Sequence, residues 1–70
     1  MTENGRLRLK AKIAERGETQ AELAAAIGIS LSRLNAKLNR KNGAEFNQGE
    51  IAAVKRHFSL TAEEVDAIFF

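Results

Sequence analysis

The 70-residue sequence contains no cysteine, no proline, no tryptophan and no tyrosine. Without cysteine there is no disulfide framework and no thiolate metal site. A chain of this length buries only roughly 60% of the surface that it exposes when unfolded, so we expect one domain of marginal stability. The absence of proline means that no residue interrupts a helix by removing a backbone donor.

A long apolar run is also missing. The first residues, MTENGRLRLK, contain no apolar stretch of signal-peptide length, and no segment approaches the roughly 20 apolar residues of a membrane span. With 44% apolar and 29% charged residues, the composition is that of a globular protein. We therefore expect a cytoplasmic protein.

Positive charge is concentrated in the first part of the chain. Residues 1–41 contain nine lysines and arginines against four glutamates, a charge of +5, and residues 42–70 contain two against five acids, a charge of −3. This asymmetry suits a polyanionic partner. Helices of small proteins commonly carry such charges on their solvated faces, so charge alone leaves both interpretations open.

Apolar residues recur at helical spacing, and no window alternates as a strand would. The first helix is predicted from Arg6 to about Arg16, where Gly17 ends it. Polar residues that cap helix starts open four more helices, at Thr19 with Glu22, at Ser30, at Asn47 with Glu50, and at Thr61 with Glu64. The predicted fold class is all-α: a compact five-helix domain that covers residues 1–70.

The second and third predicted helices, with the turn between them, carry the most specific pattern. Ala24 is small where two helices would cross closely, and Gly28 stands where the chain turns sharply and favours a positive φ. Ser30 caps the next helix, which runs from Leu31 to about Leu38. The pattern as a whole is Gln20, Leu23, Ala24, Gly28, Ile29, Ser30, Leu34 and Leu38.

These eight positions resemble the helix-turn-helix of the lambda-repressor-like (Cro/CI, XRE) superfamily of DNA-binding proteins. Segments further along, among them FNQGEI at 46–51 and LTAEEV at 60–65 followed by Phe69 and Phe70, resemble short phage-encoded Cro-like regulators. The resemblance implies a lambda-repressor-like fold with the helix-turn-helix at helices 2 and 3. It also implies a transcriptional regulator, in a bacterial host or encoded by its phage, whose partner is a double-stranded DNA operator.

In that superfamily the third helix enters the major groove, where base pairs present distinguishable donors, acceptors and methyl groups. The resemblance therefore implies base contacts by Leu31, Ser32, Arg33 and Ala36. Arg33 suits a bidentate contact to guanine, with a phosphate contact as the alternative. Leu31 departs from the family, which often has a polar residue there. An apolar Leu31 either packs on thymine methyls or lies partly buried.

The resemblance also implies contacts to DNA phosphates, by Gln20, Ser30, Asn35, Lys37, Asn39, Arg40, Lys41 and Asn42. Gln20 matches a position that contacts a phosphate in the superfamily. The alternative is that Gln20 is a solvated glutamine at a helix start. Lys37 and the segment 39–42 form a basic clamp, or else the segment is an ordinary solvated turn.

The chain ends in neighbouring phenylalanines, which point about 100° apart on a helix. An exposed ring beside Ile68 suits a homodimer contact through Ile68, Phe69 and Phe70, whereas burial of both rings would complete the monomer core. Dimeric regulators read two half-sites about one DNA turn apart.

No catalytic motif occurs in the sequence. His57, the only histidine, has no cysteine or acidic cluster at ligand spacing, so we expect a surface or half-buried structural residue. The sequence predicts no enzyme, no cofactor and no metal. The alternative to a DNA-binding regulator is a helical protein-interaction module on the same fold, such as an anti-repressor or an antitoxin-like adaptor, which Leu31 and the acidic final third would favour.

Overall fold

Five α-helices make up the chain in a computed structural model that describes all 70 residues. They are α1 (Glu3–Glu15), α2 (Gln20–Ile27), α3 (Leu31–Leu38), α4 (Gln48–Phe58) and α5 (Ala62–Phe69), and a short 3-10 turn (Lys41–Gly43) lies between α3 and α4. There is no strand. The predicted all-α class and the number of helices are confirmed.

Helix α1 begins three residues before the predicted start. The Thr2 hydroxyl accepts a hydrogen bond from the Gly5 backbone N–H at 3.0 Å, so Thr2 caps the helix. The predicted start at Arg6 was wrong. Asn4 and Gly5 are weak helix formers, so helix propensity places the start after them. The Thr2 cap and the packing of Gly5 against the backbone of Ile68 compensate for this weak propensity.

The other helix starts are confirmed in atomic detail. At α2, α4 and α5 the capping residue and the glutamate three positions on bond each other's backbone reciprocally, in the pairs Thr19–Glu22, Asn47–Glu50 and Thr61–Glu64. Ser30 caps α3 by accepting from the Arg33 backbone N–H at 3.1 Å. Gly28 ends α2 with φ of +79°, a conformation that a side chain would strain.

One core joins the helices. α1 packs most extensively against α5, and α2 packs against both α3 and α4. Phe46, between α3 and α4, meets the ring of Phe69 edge-to-face at 5.3 Å. The buried apolar residues are Leu9, Ile13, Leu23, Ala24, Leu34, Leu38, Phe46, Val54, Phe58, Leu60, Ile68 and Phe69.

The contact between α1 and α5 depends on a glycine. Gly5 is buried, and a Cβ placed on it would overlap the carbonyl oxygen of Ile68 and lie 2.9 Å from its carbonyl carbon. The backbones of the two helices therefore approach as closely as they do because Gly5 has no side chain.

The final residues of the chain divide between core and solvent. Ile68 and Phe69 are buried, whereas Phe70 is 73% exposed. Of the three residues predicted for a homodimer contact, only Phe70 therefore presents its side chain to solvent. None of the five helices has the length and apolar character that a membrane crossing requires.

Candidate nucleic-acid interface

Helices α2 and α3 form a compact pair joined by the three residues Gly28–Ser30. Leu23 and Ala24 on α2 and Leu34 on α3 are fully buried. The Ile29 backbone N–H donates to the Ala24 carbonyl at 3.0 Å, which closes the turn, and its side chain packs half-buried against the core. The buried residues thus hold one side of α3 on α2 and leave its other side uncovered.

The uncovered side of α3 contains the residues predicted to contact bases. Leu31, Ser32 and Arg33 are exposed, and Ala36, one turn after Ser32, is half-buried. Leu31 shares the helical stripe of the buried Leu34 and Leu38, but in the first turn of α3 it is 43% exposed, so it borders this face. The structure therefore brings Leu31, Ser32, Arg33 and Ala36 together on one short helix, and we call this surface the α3 outer face.

Some of the residues predicted to contact phosphates lie next to α3 in the chain. Gln20 is the first residue of α2, and Ser30 precedes α3. Asn35 is half-buried on α3, whereas the segment Asn39–Asn42 is exposed after its last turn. Eight helical residues span about 12 Å, so Ser30 and the segment Asn39–Asn42 lie at opposite ends of the α3 outer face.

The backbone of this exposed segment is unusual. Arg40 and Asn42 have φ of +53° and +54°, in the left-handed region that residues with a side chain seldom adopt. Asparagine tolerates this conformation better than arginine. The Arg40 guanidinium forms an ion pair with Glu45 at 3.0 Å, and the amino group of Met1 lies 3.1 Å from the same carboxylate. The hydrogen bond from the Met1 amino group, together with the charge of Arg40, lowers the pKa of Glu45.

Lys37 is not free at this surface. Its Nζ donates to Glu50 Oε1 at 2.6 Å and to the Glu45 carbonyl at 3.3 Å, and the two side chains of the ion pair are only 15% and 11% exposed. Burial opposes ionisation of the Glu50 carboxyl, but hydrogen bonds from Lys37 and the Asn47 backbone outweigh it and lower its pKa, with help from the charges of Lys37 and Arg33.

Two of the predicted cations have no acidic partner. Arg33 on α3 and Lys41 in the following turn are exposed and form no ion pair. Glu63, Glu64 and Asp66 are on α5, which packs on α1 and α4, whereas Glu50 of α4 pairs with Lys37 of α3. The α3 outer face and the turn that follows α3 therefore each carry one unpaired cation.

His57 is half-buried, one of the two positions that the sequence predicted for it. Its Nε2 lies 2.5 and 2.9 Å from the two carboxylate oxygens of Glu18, and both side chains are mostly buried. Glu18 directly precedes the Thr19 cap, so the contact ties the end of α4 to the start of α2. Sequence inspection did not find this partner, which is 39 residues away.

Comparison of the chain with protein-family models, with curated proteins and with solved structures finds no match.

Proposed function

We propose that this chain is a sequence-specific double-stranded DNA-binding protein, a transcriptional regulator with the helix-turn-helix of the lambda-repressor-like superfamily at α2 and α3. The observation that carries the proposal is the α3 outer face: a short helix, firmly packed on one side, whose other side presents polar and cationic groups beside an exposed polar turn. An α-helix fits the major groove of B-DNA, where the edges of the base pairs are distinguishable.

Each residue of the α3 outer face can make a particular kind of contact with base edges in the major groove. The Arg33 guanidinium, without an acidic partner, can donate two parallel hydrogen bonds to guanine O6 and N7. Ser32 donates or accepts at either base of a pair, because a hydroxyl does both. Leu31 and Ala36 offer only apolar contact, which suits thymine methyl groups. Arg33 therefore supplies most of the hydrogen-bonding discrimination.

Phosphate contacts would come from both ends of α3. Gln20 and Ser30 lie at the starts of α2 and α3, where unpaired backbone N–H groups also favour anions. Asn39, Arg40, Lys41 and Asn42 lie beyond the other end, and Asn35 lies between. Arg40 would exchange Glu45 for a phosphate, whereas Lys41 has no partner to give up.

Lys41 is the sharpest test of this arrangement. Lys41→Ala should flatten the slope of log K against log salt by about 0.9, because one phosphate is no longer neutralised, and should weaken binding similarly for all sequences. The measurement is fluorescence anisotropy of a labelled random-sequence duplex over a salt series.

Arg8→Ala provides the matched control, because Arg8 is an exposed cation that lines the groove between α1 and α5. Its slope should equal that of the wild type. If both variants flatten the salt slope equally, binding depends only on the net charge of the protein, and the proposed interface is wrong.

One observation favours a second function, a protein-interaction module. Lys37 and Arg40 are already bound to glutamates, so the surface around the α3 outer face is less cationic than its sequence suggests. The apolar Leu31, 43% exposed, suits contact with a protein. Such a module would show no affinity for duplex DNA even at the lowest salt. The same titration therefore separates the two functions.

A further inference from the structure

Two capping-box glutamates bind a lysine of another helix in addition to the backbone at the start of their own helix. Glu50 and Glu64 occupy the same position in their capping boxes, and each also binds a lysine of another helix: Lys37 at 2.6 Å for Glu50, and Lys12 at 2.8 Å for Glu64. The Lys12 pair joins α1 to α5, whereas the Lys37 pair joins α3 to α4. Only Glu50 thus acts on the helix that carries the proposed DNA-binding face.

The pair Lys37–Glu50 is held more firmly than an ordinary surface pair. Both side chains are mostly buried, at 15% and 11% exposed, and the same Glu50 oxygen accepts from the Asn47 backbone N–H at 2.9 Å. The Lys37 ammonium donates additionally to the Glu45 carbonyl. To reach a phosphate, Lys37 would have to leave two acceptors and leave the Glu50 carboxylate mostly buried without its cation, which is unfavourable.

Released from Glu50, Lys37 would be well placed to contact DNA. It lies one helical turn after Arg33, and side chains four residues apart lie on the same side of a helix. Its flexible four-carbon stem allows the ammonium to swing outward. Lys37 is therefore kept from the solvent side of α3 by its partner and not by its position.

We propose that Glu50 withholds Lys37 from DNA phosphates and so limits the number of phosphates that the protein neutralises. This inference rests on the proposed DNA-binding function and revises one part of the sequence prediction, the phosphate contact by Lys37. Phosphate contacts supply the sequence-independent part of the affinity. With one such contact withheld, affinity falls alike for random and cognate duplexes, so Glu50 reduces the salt dependence of binding while the base contacts by Arg33 are kept.

Glu50→Gln tests the proposal, because glutamine keeps the capping box but removes the charge that holds Lys37. The slope of log K against log salt on a random-sequence duplex should steepen by about 0.9. From about 50 to about 200 mM salt, the affinity ratio of the variant to the wild type should then fall about 3.5-fold. The double variant Glu50→Gln/Lys37→Gln should return to the wild-type slope.

Glu64→Gln is the matched control, since it makes the same change in a capping box and releases Lys12 on the α1–α5 side. Its slope should equal that of the wild type. If Glu50→Gln leaves the slope unchanged, or Glu64→Gln steepens it equally, the inference is overturned while DNA binding stands. If the wild type binds no duplex at low salt, the proposed function fails first and the inference with it.

A measurement on the wild-type protein does not depend on the folding of any variant. The NMR resonances of the Lys37 ε-methylene group should keep their free-state positions when the protein is saturated with duplex DNA, whereas those of Lys41 should move. Movement of the Lys37 resonances together with those of Lys41 would show that Lys37 contacts DNA in the wild type, contrary to the proposal.

Discussion

Gly5→Ala is expected to lower the free energy of unfolding by about 3 kcal/mol, enough to leave much of a marginally stable domain of this size unfolded. Helix propensity alone predicts that this substitution raises the free energy of unfolding, since alanine stabilises a helix interior by roughly 0.5–1 kcal/mol relative to glycine. The expected loss is therefore entirely a tertiary effect.

The loss comes from the backbone of α5. The new Cβ would overlap the Ile68 carbonyl oxygen and lie 2.9 Å from the carbonyl carbon, and neither atom can rotate away as a flexible side chain would. α1 and α5 would have to separate along their contact, which is the most extensive between helices in the fold. Ile68 and Phe69, which α5 brings into the core, would lose part of their packing.

Urea denaturation followed by circular dichroism measures this effect, and Gly49→Ala is its control. Gly49 also lies in a helix, but it is exposed and its Cβ would meet only the Asn47 side-chain oxygen at 3.5 Å, an ordinary contact. Gly49→Ala should be neutral or stabilising by up to about 1 kcal/mol. If Gly5→Ala is equally well tolerated, the described contact between α1 and α5 is wrong.

Arg33→Ala is expected to have the largest effect on sequence preference. Loss of a bidentate contact to guanine costs about 1–3 kcal/mol of discrimination, which is about 5- to 150-fold in the ratio of affinities for cognate and mismatched duplexes. The preference should disappear at one base pair of the recognised site and persist at the others. No new acidic group would be left unpaired, because Arg33 has no ion-pair partner.

Selection of bound sequences from a random DNA pool, repeated with the wild type and the variant, measures this preference. The wild-type pool should contain a conserved guanine that the variant pool lacks, and an Arg8→Ala pool should match the wild type. A variant that loses affinity equally for every sequence, with a shallower salt slope, would assign Arg33 to a phosphate instead. A palindromic site would in addition indicate dimeric binding and give the half-site spacing.

The parts of the fold that the sequence predicted are those set by neighbouring residues. Capping boxes link positions three apart, and the turn at Gly28 depends on one residue, so both can be recognised in the printed sequence. The start of α1 was misplaced for the opposite reason. Gly5 appears unfavourable for a helix until its contact with Ile68, 63 positions away, is known.

The same distinction holds for the candidate site. Helical periodicity predicts which α3 residues face outward, and Ser32 and Arg33 are exposed as expected. It does not predict which cations are already paired. Glu50 is 13 residues from Lys37, and no local pattern links them. The left-handed backbone at Arg40, also absent from any sequence motif, arises where the segment after α3 packs back toward Glu45.

Binding of DNA by the α3 outer face can be observed directly by amide chemical-shift mapping of the labelled protein with a random-sequence duplex at low salt. We expect perturbations at Gln20, at 30–33, at Ala36 and at 39–42, with the exposed amides of α5 unaffected. Absence of any perturbation, or perturbations confined to α1 and α5, would contradict it.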